Sequence, residues 1–187
     1  KHCEIFQDLL TNLNVLEFTN LATLKDICLI IQRAELILKI STIIKRSIIE
    51  LGNEGVLLRI RLKELMKDIE KEELLVIDDY SKLKVRKTKS LLSVLSFEEL
   101  LDISNILLSF ACGEDDIPLN KGARLLNKAK LEENDIAKLV KSLRNLNSIF
   151  EAPTENLAKV LGDETKARKL QKDLIHMKEQ VMLGKKI

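Results

Sequence analysis

Two long apolar-periodic segments, separated by one tight break, constrain this chain more than anything else in it. Counting from Ile27, apolar side chains recur at Ile30, Ile31, Ala34, Ile37, Leu38, Ile44 and Ile48. Spacings of three and four residues place them on one broad helical face. Glu50-Leu51-Gly52-Asn53-Glu54-Gly55 then interrupts the pattern. Gly52 is the natural stop, because glycine enters the left-handed cap conformation without a steric penalty. A second periodic run leads from Val56 to Tyr80. The pattern predicts a paired register with Ile31, Ala34, Leu38 and Ile48 facing Leu58, Leu62, Leu65 and Ile69.

Composition agrees with helices and with little else. Leu, Ile, Lys and Glu dominate, Trp is absent, and 187 residues contain only six Gly and two Pro. A 45% hydrophobic content supplies a real core. The expected fold class is all-α. Upstream the helices are predicted at residues 5–13, 21–51, 57–80 and 91–110, the last restarting at Phe97 behind a Ser96/Glu99 capping box. The acidic Gly113-Glu114-Asp115-Asp116-Ile117-Pro118 stretch breaks the periodicity and marks a boundary, giving units 1–117 and 118–187. Downstream the helices shorten, to 133–144, 146–151, 154–161 and 164–182, with Thr154 as the expected N-cap of the third.

Several function classes are excluded or disfavoured. Cys3, Cys28 and Cys112 are odd in number and lack paired spacing, which fits a reduced, cytoplasmic protein in which Cys28 is a small buried hydrophobe. The N-terminal stretch carries Glu4 and Asp8 and does not read as a signal peptide. Gln32, Arg33, Glu35 and Lys39 interrupt the most apolar segment, and a charge at mid-bilayer costs roughly 2.5–3.5 kcal/mol. No membrane partner is expected. His2 and His176 have no second ligand at helical spacing, so no metal, cofactor or catalytic residue is expected. Asp78-Asp79 and Asp115-Asp116 are sequence neighbours, which on a helix point about 100° apart and are poorly arranged to share one substrate. Lys82 to Lys89 carries five positive charges and reads as a solvated connector and helix start.

The net charge of +2 hides a division. Residues 1–120 hold 16 Lys/Arg against 20 Asp/Glu, and residues 121–187 hold 15 against 9. A polyanion would therefore meet the last third.

Certain phrases carry a resemblance. Gln32-Arg33-Ala34-Glu35, Glu50-Leu51-Gly52-Asn53-Glu54-Gly55, Leu65-Met66-Lys67-Asp68-Ile69-Glu70 and Asp78-Asp79-Tyr80 resemble the central helical region of the DNA integrity scanning (DisA) family. The similarity continues through Glu99-Leu100-Leu101-Asp102-Ile103-Ser104, Lys121-Gly122-Ala123-Arg124-Leu125-Leu126-Asn127-Lys128 and Ala167-Arg168-Lys169-Leu170. The blocks keep the family's order from about Leu16 onward. The resemblance implies a helical linker bundle followed by a small helix-hairpin-helix-like domain. It also implies a parent protein with a diadenylate cyclase domain, through which the chain could join a homo-oligomer. The Asp-Gly-Ala and Arg-His-Arg motifs of that cyclase are absent from this sequence, so the chain alone is not expected to make cyclic di-AMP. The sequence leaves open whether it is a fragment or a natural truncation.

By the same resemblance, Leu157 to Leu170 is the hairpin that would touch DNA, branched or without sequence preference. Gly162 matches its first glycine, and Ala167 and Arg168 match the small residue and cation of its second helix. With Thr165, Lys166, Lys169 and Lys172, Gly162 and Arg168 form the candidate DNA-binding set. The second hairpin glycine is missing, and Asp163 and Glu164 stand where donors should face phosphate. A carboxylate there caps a helix, worth on the order of 0.3–1 kcal/mol, but repels phosphate. Weak, salt-sensitive binding is one expectation. A packing hairpin in a non-catalytic scaffold is the other.

Overall fold

The structure, a computed structural model, describes residues 1–185 and 187, which fold into α-helices and one 3-10 turn. Helix α1 (His2–Thr19) ends at Asn20 in the left-handed region. Helix α2 (Leu24–Glu50) opens with a reciprocal capping box. The Thr23 hydroxyl accepts from the Asp26 N–H (3.3 Å), and the Asp26 carboxylate accepts from the Thr23 N–H (2.9 Å). The chain then breaks at Gly52 with φ +58°, the stop its sequence position implies, and a 3-10 turn (Gly52–Gly55) leads into α3 (Val56–Tyr80).

The segment expected as one helix with a restart is three: α4 (Val85–Val94), α5 (Phe97–Leu101) and α6 (Ile103–Ser109). Extended backbone at Leu95 and Ser96 separates the first two, and the predicted Ser96/Glu99 box caps α5. At Asp102 a third extended residue caps α6 through the Ser104 N–H. Together α1 to α6 enclose a core built around Phe6, Leu13, Ile31, Ile77, Ile106 and Phe110.

The predicted register of α2 against α3 is only half right. Ile31, Ala34 and Ile48 are buried and Leu38 packs against the core, but Leu58 and Leu65 are 50% and 45% exposed and Leu62 is half-buried. The inward stripe of α3 runs instead through Met66, Ile69, Glu73, Val76, Ile77 and Tyr80. Leu58 lies eighteen residues, five full turns, before the buried Val76 and so points the same way. The exposure of Leu58 and Leu65 therefore reflects what covers the helix more than its phase: the outer ends of α2 and α3 project beyond the helices that enclose their bases.

Five further helices surround a second core centred on Leu126, Leu139, Ile149, Ala167 and Leu170. They are α7 (Ala123–Lys128), α8 (Glu133–Leu143), α9 (Leu146–Glu151), α10 (Thr154–Leu161) and α11 (Glu164–Met182). Helix α7 was not among the predicted elements. Thr154 is the first residue of α10 and not its cap. Pro153 holds the extended cap position, and the Thr154 hydroxyl bonds Gln171 Oε1 (2.5 Å).

Two buried ionic clusters tie these helices together. In the first, Lys89 Nζ on α4 donates to Glu35 on α2 (2.8 Å) and Glu73 on α3 (2.5 Å). Lys89 thus departs from the solvated connector expected of its segment. Burial pushes the Glu73 carboxyl up to about 8 against the pull of Lys89, with Glu35 adding to the rise.

The second cluster joins the two cores. Arg124 on α7, fully buried, donates to Asn14 Oδ1 (2.7 Å) and to Glu17 on α1. The Asp79 carboxylate at the end of α3 accepts from the Ala123 N–H (2.6 Å) and the Arg124 N–H (3.1 Å), and so caps α7. The Tyr80 hydroxyl donates to Glu17 Oε1 (2.9 Å). Burial raises the Asp79 carboxyl to about 7, Glu17 adds to the rise, and the Arg124 N–H and guanidinium oppose it. Phe18 of α1 meets Phe150 of α9 edge-to-face at 6.2 Å.

Among the described residues no helix is long and apolar enough to cross a membrane, and no three potential ligands cluster as a metal site. All three cysteines are free, and Cys28 is buried as expected.

Candidate nucleic-acid interface

The hairpin of α10 and α11 is built from apolar spacing on both sides of its turn. Leu157 and Leu161 on α10 face Ala167, Leu170 and Leu174 on α11 within the second core. The reversal needs a residue in the left-handed region, and Gly162 supplies it at φ +70°. A Cβ there would meet nothing within 4 Å, so backbone conformation, and not crowding, calls for glycine.

Three of the backbone donors at the turn and the start of α11 are engaged inside the hairpin. Gly162 N–H bonds Ala158 O (2.8 Å). The Asp163 carboxylate accepts from the Thr165 N–H (2.8 Å) and the Lys166 N–H (3.1 Å). Asp163 therefore occupies the anion position at the start of α11 with the chain's own charge.

The six residues singled out from the sequence are all exposed, and they divide into two groups. Thr165, Arg168, Lys169 and Lys172 recur at three- and four-residue spacing along one solvent face of α11. With Glu164 they line a shallow open depression of about 510 Å³. Arg168 is held by Glu164 in an exposed i,i+4 pair (2.6 Å), whereas Lys169 and Lys172 make no ion pair among the described residues. Lys166 turns away from this stripe, towards α8, where Asp135 accepts its ammonium at 2.9 Å. That contact pulls the Asp135 carboxyl down and the Lys166 ammonium up. Gly162 lies at the turn, behind the stripe.

Internal pairing also tempers the positive charge of the last third. Arg124 belongs to Glu17, Lys138 joins Lys166 on Asp135, and Lys178 lies over the Phe150 ring at 4.8 Å. Lys121 Nζ bonds two carbonyl oxygens, Asp78 O and Ser81 O. Sequence reasoning missed the Asp79–Arg124 joint. Its one local signal is an arginine set inside the apolar run Ala123-Arg124-Leu125-Leu126.

Residues 1–115 match the family described as the DisA bacterial checkpoint controller linker region. Curated relatives named DNA integrity scanning protein DisA align along essentially the whole chain. That of Clostridium botulinum strain Alaska E43 is 37% identical, and the match covers 100% of this chain and 55% of the relative. That of strain Langeland is 36% identical over 99% of this chain and 55% of its own length. That of Clostridium acetobutylicum is 36% identical over 100% of this chain and 55% of its own length. The chain belongs to the DisA family through its linker region, and it spans about half the length of these curated relatives.

Proposed function

From that membership, we propose that the chain is the linker and DNA-contacting part of a DisA-like protein, with α11 as the surface that meets the phosphate backbone. One observation carries the reading: Thr165, Arg168, Lys169 and Lys172 share one solvent face, and two of the three cations are free of ion pairs. Such a stripe attracts a polyanion through counterion release and reads backbone shape, not bases. Because Asp163 fills the anion position at the start of α11, binding is weak, in the micromolar range or poorer that marks non-specific association. In the longer protein, preference for branched or damaged DNA would be relayed through the bundle to a diadenylate cyclase domain. That chemistry belongs to the longer protein, and this chain alone yields no cyclic di-AMP from ATP and a divalent metal.

Fluorescence anisotropy against duplex and four-way-junction DNA at several salt concentrations tests the reading. Affinity is expected to fall steeply with salt. Lys169→Glu with Lys172→Glu removes most of it, and Lys67→Glu on α3 leaves it intact. Asp163→Asn keeps a capping oxygen but removes the charge, so it strengthens binding modestly. A second reading, a packing hairpin in a non-catalytic scaffold, draws on the same internal hydrogen bonds of Asp163. No binding at low salt, with every variant inert, establishes that scaffold instead.

A further inference from the structure

Between α2 and the junction of α4 with α5 lies an open depression of about 560 Å³, within the size range of small-ligand sites. Its long wall is a stripe of α2. Lys39, Thr42 and Arg46 follow one another at three- and four-residue spacing and so share a face, with Lys45 beside them. Lys39 Nζ reaches across to donate to Ser93 O (3.2 Å), which leaves two of its three ammonium protons for another acceptor. The Ser96 hydroxyl accepts from the Glu99 N–H (3.1 Å), and its own proton has no acceptor among the described residues. Phe97 stands next to it on the opposite wall. Phe6 and Phe110 are buried and Phe18 and Phe150 pack on each other, whereas Phe97 is 42% exposed. A bare ring beside cations is a platform for a flat aromatic group.

Charge at this depression runs against its surroundings. Residues 1–120 hold more acids than bases, 20 against 16. Yet Lys39, Lys45 and Arg46 converge here, and none of them has an ion-pair partner among the described residues. The nearby acids are largely engaged. Glu35 is met by Lys89 (2.8 Å), and Glu99 accepts from the Ser96 N–H (2.7 Å). Burial raises Glu73, the other acid on Lys89, to about 8, so it holds its proton at neutral pH. Glu70 is the remaining carboxylate among the lining residues. Three cations against one carboxylate suit a compact dianion, and Arg46 adds a guanidinium fork that matches phosphate oxygens. A long polyanion would run on from the depression into the acidic excess of the body.

We propose that this depression binds an aromatic phosphate of about mononucleotide size, its phosphate held by Lys39, Lys45 and Arg46 and its ring laid on Phe97. The inference stands apart from the DNA reading, since it uses neither α11 nor its cations.

An amide NMR titration of the purified chain with guanosine monophosphate, guanosine and inorganic phosphate tests it. The nucleotide is expected to shift the amides from Lys39 to Arg46 and from Ser93 to Phe97, saturably and below millimolar concentration. Guanosine and inorganic phosphate each carry half of the recognised chemistry and bind at least about tenfold more weakly. Lys45→Glu with Arg46→Glu, both exposed and unpaired, weakens the nucleotide by about tenfold or more without changing the helical circular dichroism. Phe97→Ala weakens it by about tenfold, and Phe97→Tyr, which keeps a ring, restores it. Lys169→Glu with Lys172→Glu leaves it unchanged. No saturable shift at millimolar nucleotide overturns the proposal, as does inorganic phosphate that binds as well as the nucleotide. Shifts confined to α11 also overturn it. So does a single-stranded oligonucleotide that holds these residues more tightly than the nucleotide, which would assign the depression to nucleic acid.

Discussion

Lys89 and Arg124 each neutralise buried acids, yet they do so under different physical terms. Lys89 lies inside one core, its side chain is 28% exposed, and both acids it serves are on helices of the same bundle. Arg124 has no exposed side-chain surface and reaches from the second core into the first, towards acids on α1 and α3. A lysine with water at its tip can lose a partner and remain solvated, and an acid raised to about 8 can take a proton instead. A sealed guanidinium has neither outlet. Burial works against its charge, and Glu17, followed by Glu72 and Asp79, holds it protonated. The difference teaches that the joint between the cores depends more on one residue than either core does.

Removing that residue is the largest expected effect. Arg124→Ala strands Glu17 and leaves Asp79 without its nearest cation, and should cost about 3–5 kcal/mol in equilibrium denaturation. It should also open residues 113–121 to limited proteolysis. A loss no larger than that of Lys89→Met would erase the contrast.

The next effect is on pH dependence. Asp79 and Glu73 are raised from 3.8 and 4.5 to about 7 and about 8, so between those limits the native state holds more protons than the unfolded chain. Their stabilising contribution is complete below about pH 4 and is lost as pH rises through 7 and 8. Urea titrations across pH 4 to 9 should show a stability that falls as pH rises. Asp79→Asn should flatten the lower part of that fall and Glu73→Gln the upper part. A slope unchanged in both variants would place the titration elsewhere.

Lys89→Met ranks third, at about 1–2 kcal/mol, because its stem packing is retained and Glu73 can protonate. Raising the pH above 8 should enlarge the cost, which sharpens the comparison with Arg124. The smallest effect is expected at Leu62, with Ile69 deeper on the same helix as its reference. Leu62→Ala, half-buried, should lose about 1 kcal/mol, whereas Ile69→Ala should lose about 2–5 kcal/mol. Equal losses would mean that the tip is packed as tightly as the base.

Where the determinants were local, the sequence could be read directly. The stop at Gly52, the Ser96/Glu99 box and the extents of α8 to α11 each depend on residues within a few positions of one another. Asp163 was legible as a cap for the same reason. Helix α7 was not, since its N-terminus is satisfied by Asp79, 44 positions away, and its arginine by Glu17, 107 positions away. Lys166 was placed with the DNA-facing cations because its spacing allowed it, and only the approach of α8 gives it Asp135. The Leu58 and Leu65 error has another origin. Periodicity reports that a stripe is apolar, but not whether the same chain folds over it.

The length of α3 has a mechanical consequence. Twenty-five residues at about 1.5 Å each make a rod of about 37 Å. Its inner fifteen residues, Met66 to Tyr80, are held in the first core and tied through Asp79 and Tyr80 to α7 and α1, and its first ten stand beyond that core with α2 alongside. The projecting part is about 15 Å long, so a tilt of about 5° at the edge of the core moves its end by only about 1 Å. The outer end of the hairpin is therefore a short, stiff strut whose position is dictated by the core that grips it.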